Sequence, residues 1–277
     1  MKTILAATDL SARSDRAVLR AAHLAKAQGA SLRILHVCDD DLPAAMLQSR
    51  CEQAAEALTA MIAQTPLLSD LSPDLSVEAG HADVLLPRIA RESGAGLVVV
   101  GGHRSRGMGE LLGTPTLVRL LRGTQLPVLI VVGRAEAPYK KVSVAWDFSP
   151  AAWEAGHLAR QIAPEAGMTL VHAWMSPYTG SPYGFEAGGT IPQETLDRLG
   201  EQLAQDAEEL GGTPSPQHEV VFGPPGHTLR QRASEGKADL LALGRHSRSG
   251  LARLLLGATA EDVALSAACD VLIAPPS

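Results

Sequence analysis

The chain has 277 residues, of which 45% are hydrophobic and 19% charged, with a formal net charge of −6. This composition is typical of a globular protein, and the negative charge argues against a non-specific binder of nucleic acid or of anionic membranes. No apolar run approaches the roughly 20 residues of a membrane-spanning helix, and the strand-like start of the chain predicts no signal peptide. The three cysteines share no metal-type spacing, which indicates reduced thiols in a cytoplasmic protein.

The first half of the chain alternates short apolar runs with helix-like segments. Continuous apolar runs favour strands that are covered on both faces. After the first run, Ser11 is placed to cap a helix. The apolar stripe of that helix consists of Ala17, Ala21, Leu24 and Ala25. The predicted strands of this half are Ile4–Thr8, Leu32–Val37, Val77–Ala79, Leu97–Gly101 and Val128–Val132.

The second half repeats the first. Residues 141–149 (Lys-Val-Ser-Val-Ala-Trp-Asp-Phe-Ser) match residues 2–11, and Ser149 takes the place of the first helix cap. The matching apolar stripe consists of Ala155, Ala159 and Ile162. The predicted strands of this half are Val142–Trp146, Thr169–Ala173, Val220–Phe222, Leu240–Gly244 and Val271–Ala274. A repeat of half the chain predicts two whole domains, residues 1–137 and 138–277, rather than a solenoid of small units.

Alternation of strands and helices predicts parallel strands joined by right-handed crossovers. We therefore predict an α/β fold with two tandem, doubly wound, five-stranded parallel-sheet domains. One segment, Trp174–Pro192, breaks the symmetry because it is rich in proline, glycine and aromatic residues. Long loops of this kind are often functional, and the alternative is an ordered loop packed on its own domain.

Three repeated features lie at the carboxyl ends of the predicted strands, where open parallel sheets bind their ligands. The first is an aspartate, Asp9 or Asp147, just past the first strand of each half. A carboxylate at this point can accept hydrogen bonds from a sugar hydroxyl or a base amine. It can equally cap the helix that follows.

The other two features contain glycine. A turn rich in glycine and basic residues follows the fourth strand, and backbone amides with nearby arginines in such a turn suit a phosphate. A further glycine begins the last helix, whose free amides also favour an anion. The turn residues are Gly101, Gly102 and His103, and in the second half Gly244, Arg245, His246 and Ser247. The helix starts are Gly113 and Thr114, and Gly257, Ala258 and Thr259. Together the three features predict a pocket of the adenine-nucleotide type.

The segments Ile4–Ser11, His36–Val37 and Gly244–Gly257 resemble the universal stress protein family, and the resemblance covers nearly the whole chain as two tandem copies. It implies a Rossmann-like sheet of order 3-2-1-4-5 and dimers formed through the last strand. In a tandem chain this implies an intramolecular pseudo-dimer, with a homodimer as a further option. It also implies ATP or a related nucleotide as ligand, with Mg²⁺ accompanying ATP. The strand-end positions Val37, Ala173 and Leu243 would then belong to the site.

Nucleotide-binding members of that family carry Gly, two residues, Gly, nine residues, Gly and then Ser or Thr, and this chain departs from the pattern in both halves. In the second half Ser247 replaces the middle glycine and Ala258 the hydroxyl residue, and Trp146 is placed to crowd an adenine. In the first half Gly113 comes one position early and Pro115 removes an amide from the helix start. We therefore expect the second half to bind a phosphate more strongly.

The histidines recur too, at positions 36 and 172 and at positions 103 and 246. They lack the spacing of a zinc site, which favours structural or phosphate-facing roles. No P-loop, nucleophile elbow or zincin motif occurs, so an enzyme would be at most a slow ATPase. The leading hypothesis is a cytosolic stress-response protein that binds a nucleotide or another small anionic ligand and acts through an unidentified protein partner. The alternative is a scaffold with degenerate pockets.

Overall fold

The computed structural model describes residues 1–102, 116–135, 137–175, 190–245 and 256–275. The chain divides into two compact units, one holding Met1–Pro138 and the other Tyr139–Arg253 with Gly257–Ser277. Within the described ranges, no helix combines the length and apolar character needed to cross a membrane. Most of the predicted aromatic loop, residues 176–189, lies outside the described residues.

The first unit follows the predicted alternation of strands and helices. Its elements in chain order are β1 (Thr3–Thr8), α1 (Ala12–Gln28), β2 (Ser31–Cys38), α2 (Ala44–Gln64), α3 (Pro66–Leu71), β3 (Asp74–Ala79), α4 (Ala82–Glu92), β4 (Leu97–Gly101), α5 (Thr116–Gly123) and β5 (Val128–Val131).

The second unit repeats this order without a counterpart of the short α3 among its described residues. Its elements are β6 (Lys141–Ala145), α6 (Pro150–Ile162), β7 (Gly167–Trp174), α7 (Gln193–Leu210), β8 (Gln217–Phe222), α8 (Pro225–Ser234), β9 (Leu240–Gly244), α9 (Ala258–Ser266) and β10 (Asp270–Ala274).

Each unit contains a parallel sheet of the same topology. The order is β3-β2-β1-β4-β5 in the first unit and β8-β7-β6-β9-β10 in the second. Every pair of neighbouring strands within each unit is parallel. This confirms the predicted α/β fold and the strand order 3-2-1-4-5. Because the first strand lies at the centre, the switch in strand order falls between β1 and β4, and between β6 and β9, where ligands of such sheets sit.

The central strands form the core. β5 and β10 are buried at every residue, and all of these residues except Asp270 are apolar. The stripes predicted for α1 and α6 are also buried, and each fully buried leucine or isoleucine contributes about 1.5–3 kcal/mol. The three tryptophans, three tyrosines and three phenylalanines all fall in the second unit. The core of the first unit therefore contains no aromatic side chain.

The predicted strands are all present, and the differences lie at their ends. β3 and β8 begin earlier than predicted, at Asp74 and Gln217, because these outer strands start with polar, exposed residues. Val132 and Trp146 were predicted as strand residues but lie one position beyond β5 and β6. Trp146 is nevertheless still bonded to β7, because its backbone amide donates to the Val171 carbonyl at 2.9 Å.

Candidate functional site

Each unit has a cavity at the carboxyl end of its sheet. The first cavity measures about 220 Å³ and the second about 340 Å³. The sequence-predicted residues that line the first are Asp9, Val37, Gly101 and Gly102. Those that line the second are Asp147, Ala173, Leu243, Gly244, Arg245, Gly257, Ala258 and Thr259. The fold thus brings both predicted sets together around a single space in each unit.

Five predicted site residues fall outside the described part of the chain: His103, Gly113, Thr114, His246 and Ser247. The cavities also have lining residues that the sequence analysis did not assign to the site. In the first unit the most important of these is Arg13, in the first turn of α1. The only sequence feature that could have pointed to Arg13 was its position two residues after the helix cap Ser11. The second unit has Ala151 at the corresponding position and supplies its cationic side chain from Arg245 instead.

Asp9 and Asp147 both close a tight turn before the first helix of their unit. The Oδ1 atom of Asp9 accepts a hydrogen bond from the Ser11 amide at 3.0 Å, and Asp147 accepts one from the Ser149 amide at 3.1 Å. The residue between aspartate and serine has a positive φ in each copy, 60° at Leu10 and 63° at Phe148. Both residues therefore occupy the left-handed region, which is strained for a side chain other than glycine. The helix caps are Ser11 and Ser149, so the prediction that the aspartates cap these helices is wrong. Each aspartate instead holds the amide of the cap residue and lines a cavity.

The serines cap those helices as predicted. Ser149 Oγ accepts a hydrogen bond from the Ala152 amide at 3.2 Å. Ser11 and Ser14 form a reciprocal capping box at the start of α1. These caps occupy amides of α1 and α6 that would otherwise be available to an anion.

Two equivalent histidines join the ends of the first two strands. His36 Nδ1 donates to the Thr8 carbonyl at 2.8 Å, and His172 Nδ1 donates to the Trp146 carbonyl at 2.7 Å. Each histidine thus fixes the backbone immediately before the aspartate. In the neutral ring the second nitrogen, Nε2, is then an acceptor. His172 also lines the second cavity and lies 4.9 Å from the Phe148 ring, centroid to centroid.

The glycines that end β4 and β9 are required by helix packing. A Cβ added to Gly244 would lie 2.6 Å from Ala151 Cβ and 2.7 Å from the Ala151 carbonyl carbon. At Gly101 it would lie 3.1 Å from the Arg13 carbonyl carbon. The first helix of each unit therefore passes directly over the end of the fourth strand. This contact accounts for the repeated glycine without reference to a ligand.

The start of α9 differs from those of α1 and α6. Its N-cap residue is Gly257, and the described residues provide no side-chain cap for it. Ala258, Thr259 and Ala260 form its first turn and line the second cavity. The Gly257 amide itself donates to the Arg245 carbonyl at 2.9 Å.

Arg245 is the most deeply buried cation of the second cavity. Its side chain is completely inaccessible to solvent, and burial lowers the pKa of its guanidinium to about 10. The group remains charged at neutral pH. A buried cation next to a helix start that has no side-chain cap adds to the positive potential of that helix end.

Trp146 borders the second cavity, but helices hold its ring. The indole Nε1 donates to Asp206 Oδ2 on α7 at 2.7 Å, and the ring meets Trp153 of α6 edge-on with centroids 4.9 Å apart. The ring also packs closely on Gly156 of α6, where an added Cβ would lie 3.2 Å from Cζ3 of Trp146. These contacts direct the ring toward the helical layer.

Two aspartates and a histidine lie close together on the surface of the first unit. Donor atoms of Asp39, Asp40 and His81 lie within 4.8 Å of one another, and all three side chains are exposed. His81 Nε2 is 3.6 Å from Asp40 Oδ1. Since solvated acidic groups commonly cluster in this way, we assign no metal to them.

The Asp9 turn predicts an acid-sensitive contribution to stability. Partial burial raises the pKa of Asp9, but hydrogen bonds from the Ser11 and Ser14 side chains and from the Ser11 amide outweigh it and lower the pKa below 3.8. A lowered pKa in the folded state stabilises the fold above the unfolded-state pKa, and this stability is lost as pH falls through the folded-state value. We expect Asp9→Asn to lose less stability than the wild type between pH 7 and pH 3, measured by urea unfolding followed by circular dichroism.

Asp15 serves as a control, because its pKa is shifted in the opposite direction to that of Asp9. Burial, together with the charge of Asp9, raises the pKa of its carboxyl, so ionised Asp15 opposes folding. Asp15→Asn should therefore make the loss of stability on acidification steeper. Equal pH dependence in both variants and the wild type would contradict this account.

Comparison with known proteins agrees with this architecture. The model of the universal stress protein family matches residues 1–132 and again residues 138–275. A universal stress protein from Mycolicibacterium smegmatis is 28% identical, with 99% of this chain and 97% of that protein covered. Another, from Methanocaldococcus jannaschii, is 31% identical over 52% of this chain and 86% of its own length.

Among solved structures, a universal stress protein from Archaeoglobus fulgidus superposes with a TM-score of 0.71. The match covers 99% of this chain and 98% of that one at 17% identity, so it supports the fold alone. Since the family model covers nearly the whole sequence in two consecutive copies, the chain belongs to the universal stress protein family.

Proposed function

We propose that the second unit binds ATP, a related nucleotide or another small anionic ligand, and that this binding serves a role in the stress response. The observation that carries the proposal is the uncapped start of α9 beside the buried Arg245, both on one cavity. A helix start offers amide donors and a positive dipole end to a phosphate. A guanidinium adds charge-assisted hydrogen bonds to the same group.

The size of the second cavity also favours the second unit as the ligand-binding unit. Ligand pockets measure roughly 300–1,000 Å³, and the second cavity, at about 340 Å³, falls in that range. The first cavity, at about 220 Å³, falls below it. The first unit also lacks the buried cation after its fourth strand, where Gly102 takes the place of Arg245.

Within the second cavity the residues divide by the part of a nucleotide that they would hold. The amides of Ala258 and Thr259 and the Arg245 guanidinium suit the phosphates. Asp147 suits a ribose hydroxyl, because its carboxylate accepts hydrogen bonds. Asp147 is also the one carboxylate among the described lining residues, so Mg²⁺ would depend on the phosphates and water for its other ligands.

A test compares two arginine variants of the full-length protein by titration calorimetry with ATP. Arg245→Met should weaken binding about tenfold to a hundredfold, because a hydrogen bond to a charged group contributes about 1.5–3 kcal/mol. Arg13→Met, which removes the arginine of the other cavity, should leave the affinity unchanged. Far-ultraviolet circular dichroism checks that both variants are folded.

The reverse result, with only Arg13→Met weakened, would assign the ligand to the first unit. Failure of the wild type to bind ATP or inorganic phosphate would favour the second candidate function, a scaffold without a ligand. One observation favours that candidate. The repeated glycines Gly101 and Gly244 are already explained by their contact with the first helix of each unit.

A further inference from the structure

A third cavity lies at the opposite end of the second sheet from the candidate site. It measures about 370 Å³ and opens where three parallel strands begin, at Lys141 of β6, Gly167 of β7 and Gln217 of β8. The end of α8 and the turn that follows this helix complete its wall. The third cavity is slightly larger than the second and shares no described lining residue with it.

The charged side chains that line the third cavity are all cationic. They belong to Lys141, Arg232 and Lys237, and none of the described lining residues is acidic. The uncharged polar side chains of the wall belong to Thr169, Ser215 and Gln217. A cleft lined by charges of one sign concentrates counter-ions, and its volume falls in the range of ligand pockets, roughly 300–1,000 Å³. The lining therefore suits a small anion.

Arg232 is held in place by the sheet. The residue is only 8% exposed, its Nε donates to the hydroxyl of the fully buried Ser143 at 3.1 Å, and its Nη1 pairs with Glu219. Among the described residues, the Nη2 group has no hydrogen-bond partner. A guanidinium fixed by two of its nitrogens can offer the third to a ligand in the cavity that it lines.

The two lysines are exposed and keep donors for a ligand. Lys141 Nζ donates to the Gly236 carbonyl at 2.9 Å, which uses only one of its N–H groups, and no described carboxylate forms an ion pair with it. Lys237 Nζ lies 2.9 Å from a carboxylate oxygen of Glu235. Glu235 and Glu219 are solvated and do not line the cavity, so positive charge predominates on its wall.

The first unit shows that the fold does not require these cations. Corresponding positions are identified by matching backbone hydrogen bonds at the starts of β1 and β6 and at the ends of α4 and α8. By these bonds, the counterparts of Lys141, Arg232 and Lys237 are Thr3, Ala90 and Ala95. By strand register, the counterpart of Ser143 is Leu5. Of the two units, only the second therefore has the three cations together with the serine that holds one of them.

We propose that the third cavity binds a small anion that carries two or more phosphate groups. An arginine fork can bond two oxygens of one phosphate, and lysines act as point charges on its neighbour. A single phosphate would leave part of the charge of three cations unmatched, whereas a diphosphate nearly balances it. Because the third cavity and the candidate site lie at opposite ends of the sheet, an anion can bind here whether or not the candidate site holds a nucleotide.

The test measures the protection of lysines from acetylation in the full-length wild-type protein, with pyrophosphate as the probe. The protein is treated with acetic anhydride, and mass spectrometry of its peptides gives the extent of acetylation at each lysine. Pyrophosphate should slow the acetylation of Lys141 and Lys237 several-fold and leave Lys140, which does not line the cavity, unchanged. The second cavity has no lysine among its described lining residues, so pyrophosphate bound there gives no such protection.

The pyrophosphate concentration that half-protects Lys237 measures the affinity of this cavity alone. Lys141→Gln should raise that concentration up to about fivefold, as expected for an exposed charge pair. Arg232→Met should raise it about tenfold to a hundredfold, because it removes charge-assisted hydrogen bonds. Lys140→Gln is the matched control and should behave like the wild type. Circular dichroism checks folding, and Lys141→Gln decides the result if Arg232→Met does not fold.

Three results would overturn the proposal. One is no protection, or equal protection of Lys140 and Lys141, which would indicate general screening. Another is an unchanged half-protection concentration in Lys141→Gln and Arg232→Met. The third is protection by inorganic phosphate at concentrations as low as those of pyrophosphate, since one group would then suffice. Arg245→Met should leave the protection of Lys237 unchanged, so this proposal and the proposed function succeed or fail separately.

Discussion

Replacing Gly244 with alanine is expected to lower the free energy of unfolding of the second unit by about 3 kcal/mol, at the upper end for inserting a methyl group into a packed interior. The new Cβ would lie 2.6 Å from Ala151 Cβ and 2.8 Å from the Ala151 carbonyl oxygen. Two of its three nearest neighbours belong to the α6 backbone, which cannot rotate away as a flexible side chain would. The helix or the strand must therefore move.

Urea unfolding followed by tryptophan fluorescence measures this effect. All three tryptophans lie in the second unit, so their emission reports that unit. In the matched variant Gly101→Ala the new Cβ would be 3.1 Å from its nearest neighbour. This variant should lower the free energy of unfolding of the first unit by less, as measured by circular dichroism. Gly200→Ala, in the interior of α7 with no neighbour within 4 Å, should instead stabilise by about 0.5–1 kcal/mol. If Gly244→Ala did not lower the free energy of unfolding, like Gly200→Ala, then the close approach of Ala151 to Gly244 would be wrong.

Replacing Trp146 with alanine should cost the second unit about 3–5 kcal/mol, as expected for a buried aromatic side chain. The ring is only 2% exposed and contacts both α6 and α7. Removing the ring leaves a cavity, and Asp206 loses the hydrogen bond that the indole donates to it. Trp146→Phe keeps an aromatic ring and should cost less. Emission from Trp153 and Trp174 still follows unfolding in both variants.

The same variants test whether the indole obstructs a base. Because the ring is held by the helices, Trp146→Phe should leave ATP affinity unchanged in the folded protein. Tighter ATP binding by this variant would mean that the indole does occupy the space of the adenine. The measurement separates an effect on the cavity from an effect on stability.

Much of the fold could be predicted from the sequence because most core strands carry a continuous apolar run. The repeat of these runs gave two domains of like topology, and Ser11 and Ser149 marked the helix starts. The outer strands β3 and β8 were predicted too short, since exposed edges tolerate polar residues such as Asp74 and Gln217. Apolar pattern alone cannot locate the start of such a strand.

The site was harder to predict because its properties depend on neighbours distant in sequence. The contact of Gly244 with Ala151 exists only once the helix lies over the strand. A glycine motif therefore cannot show whether it serves packing or a phosphate. The contribution of Arg13 was missed for a related reason. Its residue type is ordinary at a helix start, and only the folded unit places it beside a cavity.

The left-handed residues Leu10 and Phe148 bear on how the two copies of a duplicated ancestor diverged. Their side chains have changed from one another, yet both copies retain the same costly φ. The turn thus has the same shape in both units although its middle residue differs. Glycine or asparagine would be accepted there in either copy, whereas valine, isoleucine or threonine would be excluded, because branching at Cβ makes this conformation a genuine outlier. In any other unit that keeps this turn, we therefore expect the residue between the aspartate and the serine not to be β-branched.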